Sequence, residues 1–151
     1  MECFLLVQTG PLPYTGPMQT PSTHPNAQFL TQLYGYFVSG DVDLMLSKLG
    51  DHVTFQVAGR SAVAGKFTKS SFKDGFIEKL KSLSQSTYQF QVHDVLASDL
   101  HGTVLGTVKL TANGKPVELR TVHVWRFENG QPVAGYEYTR DLYQFDAAFG
   151  V

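Results

Sequence analysis

The hydrophobic pattern changes period once along the chain. From Asn26 apolar residues recur at three- and four-residue spacing, as Phe29, Leu30, Leu33, Tyr36 and Phe37, which is one face of a helix. Asn26 can cap that helix, Gly40 ends it, and Asp41 caps a second carrying Leu44, Met45 and Leu49. A short alternating strand at 53–57 follows, then a glycine-containing loop over 58–65. A third helix is expected over about 70–83, with Phe72, Phe76, Ile77, Leu80 and Leu83 on one side and Gly75 inside it. Beyond residue 87 the period becomes two. Tyr88, Phe90, Val92 and Leu96 alternate with Gln89, Gln91 and His93, which places His93 outward. Further strands are expected at 103–111, from Pro116 onward, and at 133–141, joined by turns at Asn113-Gly114 and Asn129-Gly130. Helices followed by an antiparallel meander predict an α+β fold.

The run from Pro116 to Phe127 carries the chemistry. Leu119, Thr121, His123, Trp125 and Phe127 share one face of this strand, so a single imidazole stands in a mostly apolar row. On the next strand Glu137 lies between Tyr136 and Tyr138. If Glu137 faces inward, burial raises its pKa toward neutrality; if the tyrosines form the core face, it is solvated. The first arrangement gives acid–base chemistry beside an apolar ligand. Tyr34, Tyr36, Phe55, Val57, Phe72, Thr121, Trp125 and Thr139 are candidates for the pocket lining, against the alternative that the aromatics are plain core.

Composition narrows the classes. A net charge of −1 gives no electrostatic case for nucleic acid or an anionic membrane. Lys66, Lys69, Lys73, Lys79 and Lys81 read as a solvated face. The lone Cys3 excludes an internal disulfide and fits a cytoplasmic setting. No run is long and apolar enough for a membrane helix. His24, His52, His93, His101 and His123 have no metal-ligand spacing, and neither a phosphate loop nor a nucleophile elbow is present, so no metal or cofactor is expected. Five prolines before residue 26 mark residues 1–25 as an extended arm ahead of a domain at 26–151.

Several segments, in order, resemble the SnoaL-like branch of the ketosteroid isomerase family, within the nuclear transport factor 2-like superfamily. They are Ser39-Gly40-Asp41, the run 49–55 (L-G-D-H-V-T-F), the loop 59–67, Val122-His123-Val124, Asn129-Gly130 and the ending 141–146 (D-L-Y-Q-F-D). The resemblance implies a cone in which a curved, mostly antiparallel sheet wraps three N-terminal helices. In steroid isomerases a carboxylate base works with two oxyanion donors. Here the base position falls on Val57, the protonated-Asp position on His123, and the tyrosine position on Leu33 or Tyr34, so that reaction lacks its base. In SnoaL-type cyclases an acid–base Asp on the last strand and a His on the preceding strand line one pocket. Glu137 and His123 match that spacing, with the carboxylate one methylene further out. Asp141 corresponds to a structural position near the end of the last strand. The family also implies a homodimer through the outer sheet face, here Val122 and Val124 between Arg120 and Arg126. Two functions stay open: acid–base catalysis on a small hydrophobic carbonyl compound, and a non-catalytic ligand-binding or dimerisation domain.

Overall fold

The computed structural model describes residues 23–150; most of the expected arm lies outside the described residues. The first helix, α1 (Pro25–Val38), starts with Pro25, one residue before the expected Asn26 start. The cap also moves. His24, not Asn26, caps the helix, its Nδ1 accepting the Asn26 amide at 3.1 Å. Proline at the first helical position needs no donor there, so the start shifts one residue back. Asn26 is buried inside the helix, and its side chain donates to the carbonyls of Ser98 (2.9 Å) and Asp99 (3.3 Å). It thereby ties α1 to a hairpin turn of the sheet.

Gly40 leaves α1 in the left-handed region at φ +82°, and Asp41 caps α2 (Val42–Ser47) through the Leu44 amide. The expected 70–83 helix is interrupted. It runs as α3 (Lys69–Phe72), a π-helical turn at Lys73–Ile77, and α4 (Glu78–Leu83). Gly75 lies in the π turn, where a Cβ would sit 3.0 Å from the Phe67 ring, so the glycine lets that ring close over the helix.

The sheet has six strands: β1 (Thr54–Val57), β2 (Gly65–Thr68), β3 (Gln89–Ala97), β4 (His101–Ala112), β5 (Lys115–Glu128) and β6 (Gln131–Thr139). Their order is β2-β1-β6-β5-β4-β3, antiparallel except where β1 runs parallel to β6. This is a mixed α+β architecture with a curved, unclosed sheet. The two Asn-Gly hairpins form as two-residue loops, with positive φ at both positions of each, the signature of type I′ turns. Two elements differ from expectation. β2 replaces the end of the expected loop; only Phe67 of its four residues is partly buried, too little pattern to reveal a strand. After β6 the chain turns into α5 (Leu142–Phe149), capped by Asp141, whose Oδ1 accepts the Gln144 amide at 3.0 Å. Phe145 and Phe149, four residues apart, give α5 its buried face.

The core lies between the helices and the concave face of the sheet, from Leu30 and Leu33 of α1 through Phe72 to Val104, Trp125 and Phe127. No helix among the described residues is long and apolar enough to cross a membrane.

Candidate functional site

Register decides which side chains meet. On β5 the alternation turns Thr121, His123 and Trp125 inward, and the antiparallel pairing sets Thr139, Glu137 and Gly135 opposite them. His123 and Glu137 are direct cross-strand partners, on one face of the sheet. Tyr138 stands on the other face, 57% exposed. On the far side of β6, Val57 of β1 pairs with Glu137. The carboxylate therefore lies one strand over from the position at which a steroid isomerase would carry its base.

Trp125 faces Gly135 across the pair, and a Cβ on that glycine would lie 3.1 Å from the indole. The missing side chain lets the ring lie against β6. From there Trp125 Nε1 donates to Tyr34 Oη at 3.0 Å, and Tyr34 Oη is 2.6 Å from His123 Nδ1. Tyr34 is buried on α1, and Phe90 of β3 stacks on the His123 ring at 5.0 Å and 17°. Gly106 of β4 makes room for Phe90 in turn, since a Cβ there would fall 2.4 Å from its ring.

Tyr34, His123, Trp125, Gly135 and Glu137 border an apolar chamber of about 70 Å³. Phe55, Phe72 and Phe76 form one wall as a stacked ladder, with centroids 4.1 and 5.1 Å apart. An open groove of about 1110 Å³ beside α1 and β3 shares Tyr34, Phe37, Leu80 and Tyr88 with it. The chamber alone has room for only a small group.

The surroundings push the two titratable groups in opposite directions. Burial lowers the His123 imidazole from 6.5 to about 4, which keeps it neutral at physiological pH. Burial raises the Glu137 carboxyl from 4.5 to about 7, offset slightly by Thr121, whose Oγ1 is 3.5 Å from Oε1. None of the residues lining the chamber is Lys or Arg, so no cation counters the desolvation of the carboxylate. Burial, with the neighbouring Glu137, also raises the Tyr34 phenol, which stays protonated.

Of the residues expected to line the pocket, Tyr34, Phe55, Val57, Phe72 and Trp125 border the chamber along with His123 and Glu137. Tyr36, Thr121 and Thr139 do not. Tyr36 is two positions past Tyr34, over half a turn around α1, and packs at the edge of the core. Thr121 and Thr139 pair one pleat beyond His123 and Glu137; Thr121 touches the site only through Glu137, and Thr139 Oγ1 reaches the Arg120 carbonyl at 3.5 Å. Leu33, one of the two candidates for the tyrosine position, also borders the chamber, as do Phe37 and Tyr88, which the sequence pattern places inward without marking them as pocket residues. Phe145 belongs to the helix that the pattern did not reveal. Among the described residues no group of three or more His, Cys, Asp or Glu could hold a metal ion.

Residues 30–134 match the SnoaL-like domain, and the chain belongs to that family. Solved structures with the same fold include a nuclear transport factor 2-like protein of unknown function from Burkholderia pseudomallei, 24% identical, with TM-score 0.73 over 85% of this chain and 99% of the other. TerC, co-crystallised with polyporic acid, is 18% identical, with TM-score 0.72 over 83% and 98%. IdmH from Streptomyces antibioticus, a candidate polyketide cyclase, is 15% identical, with TM-score 0.64 over 85% and 100%. No functionally curated protein matches the chain.

Proposed function

We propose that this SnoaL-like protein is a cofactor-independent acid–base enzyme of the isomerase or cyclase type, acting in the cytoplasm on a small hydrophobic carbonyl compound. The observation that carries the reading is the pairing of His123 with Glu137 on one face of β5–β6, both bordering an apolar chamber. A carboxyl group near neutrality can take and return a proton at physiological pH, and an apolar wall suits a substrate with one polar end. A candidate polyketide cyclase and a protein co-crystallised with polyporic acid share the fold.

The competing reading is a binding domain that holds such a molecule without turning it over; the small size of the chamber favours it. Turnover of a panel of apolar ketones and enones by the wild type and by Glu137→Gln separates the two. Catalysis lost in the variant supports the enzyme. A ligand that co-purifies, is identified by native mass spectrometry and is never converted supports the binder.

The open face of the sheet carries Leu105, Val122, Val124 and Tyr138 in paired positions, with exposed Arg120 and Arg126 beside them. This face is our candidate for a two-fold homodimer contact.

A further inference from the structure

The hydrogen bonds around Tyr34 leave one consistent arrangement of protons. Indole Nε1 can only donate, so Tyr34 Oη accepts from Trp125. The phenol proton is then available to the second partner of Tyr34, at 2.6 Å, which is His123 Nδ1. If Nδ1 instead carried a proton, the buried Tyr34 hydroxyl would have two donors and no acceptor among the described residues. Nδ1 is thus a lone-pair acceptor, and in the neutral ring the proton sits on Nε2. That atom has no bonded partner among the described residues. It is also not sealed in, because the only buried side-chain polar atom there without a partner is Ser61 Oγ. The ring borders the chamber, and its stacking on Phe90 fixes its plane.

Building on the acid–base reading above, we infer that Trp125 and Tyr34 are positioning residues that hold His123 as an Nε2–H donor for the carbonyl oxygen of an apolar ketone or enone, leaving Glu137 as the proton acceptor. In that step the Glu137 carboxylate takes a proton from the carbon beside the carbonyl. The C–H bond breaks, an O–H bond forms on Glu137, and the electron pair moves onto the carbonyl oxygen. The negative charge that develops there meets His123 Nε2–H, a fixed donor that needs no reorganisation. Return of the proton from Glu137 to another carbon, or to an alkoxide formed by ring closure, completes an isomerisation or an aldol. The groups facing Glu137 are the His123 ring, Thr121, and the neutral phenols Tyr34 and Tyr88.

The test is side-chain ¹⁵N NMR of His123 in the full-length protein, combined with the infrared carbonyl band of bound cyclohex-2-enone. Between pH 5 and 8 the free wild type should show a neutral ring with its proton on Nε2. A proton on Nδ1, or an imidazolium at pH 6, overturns the assignment. Tyr34→Phe should release the ring into a mixture of tautomers; a single Nε2–H form in that variant would show that the relay does not hold it. If Tyr34→Phe does not fold, Trp125→Phe, which removes the donor to Tyr34, should weaken the same preference, and an unchanged signature would count against the relay. Bound enone should show its carbonyl band at lower frequency in the wild type and not in His123→Phe. No binding at millimolar enone, or an unshifted band, removes the ligand half of the inference. The catalytic reading fails separately: an Nε2–H tautomer alongside full turnover by Glu137→Gln would leave a donor site without that chemistry. A reversed tautomer with an inactive Glu137→Gln would leave the enzyme and overturn the assignment of roles.

Discussion

Tyr34 and His123, 89 residues apart in sequence, are joined by a 2.6 Å hydrogen bond across the interface between α1 and β5. The phenol proton belongs to that bond, so the imidazole cannot gain a proton on Nδ1 without breaking it. The burial that lowers the pKa of His123 acts in the same direction. Glu137, with one long contact from Thr121 and no cation in the chamber, is the group left to change charge near neutrality.

The first prediction is the pH profile. With Glu137 as base, kcat/KM should rise with pH to a plateau through a single ionisation near 7 and show no falling limb from His123. A profile that falls through pH 7 would mean that the protonated acid is the working form. Glu137→Gln should lower kcat by about 10²- to 10⁴-fold, the usual range for removing a positioned acid or base.

Stability against pH should reflect the two opposed shifts. Glu137 is raised, so between pH 4.5 and 7 the native state keeps a proton that the unfolded chain has lost. Its contribution is complete below 4.5 and disappears as pH rises to 7. His123 is lowered, so between pH 4 and 6.5 the unfolded chain holds the extra proton, and stability rises through that window. Each slope is at most about 1.4 kcal/mol per pH unit, and the two cancel over most of the range. Urea melts of Glu137→Gln should therefore show stability climbing relative to the wild type between pH 4.5 and 7; parallel curves would contradict the shift.

Gly135→Ala tests the seat of Trp125. A methyl group 3.1 Å from the indole forces the ring to move by a few tenths of an ångström, at a cost of about 1–3 kcal/mol for overpacking. The displaced ring should loosen its bond to Tyr34. Melting temperature and Trp125 fluorescence read the two effects, and a variant unchanged in both would show that the contact is slack.

Val124→Glu tests the outer face. In a two-fold dimer through this face it buries a carboxylate in each half of the contact, so light scattering should report a dimer for the wild type and a monomer for the variant. A monomeric wild type removes the proposal.

Much of this was legible in the chain, for particular reasons. Asn113-Gly114 and Asn129-Gly130 admit positive φ at both turn positions, so they place the β4–β5 and β5–β6 hairpins. A bulge between Arg126 and Phe127, which the sequence pattern does not reveal, then shifts the second ladder by one residue and brings His123 opposite Glu137 rather than Tyr136. The relay was not legible. Tyr34 and Tyr36 fit a helical pattern equally well, and which of them reaches His123 depends on how α1 is rotated against the sheet, which only tertiary packing sets. α5 was hidden because two buried phenylalanines are too few to set a helical period, even with Asp141 before them as a cap. Its position is secured from afar: Asp146 Oδ1 accepts the amides of Arg60 and Ser61 at 2.9 and 3.0 Å, beside Gly59, which has no Cβ to obstruct the carboxylate.

The parallel seam between β1 and β6 sets an order of events during synthesis. Until β6 leaves the ribosome, β1 has a partner on one side only, and that partner is the short, exposed β2. Val57 must wait for Glu137, so the helical first half emerges with its apolar faces uncovered. Loop closure over that distance is costly and slow compared with hairpin formation. The nascent chain is therefore most exposed to misassociation just before the strand that carries the carboxylate arrives, and the same strand that completes the chamber ends that interval.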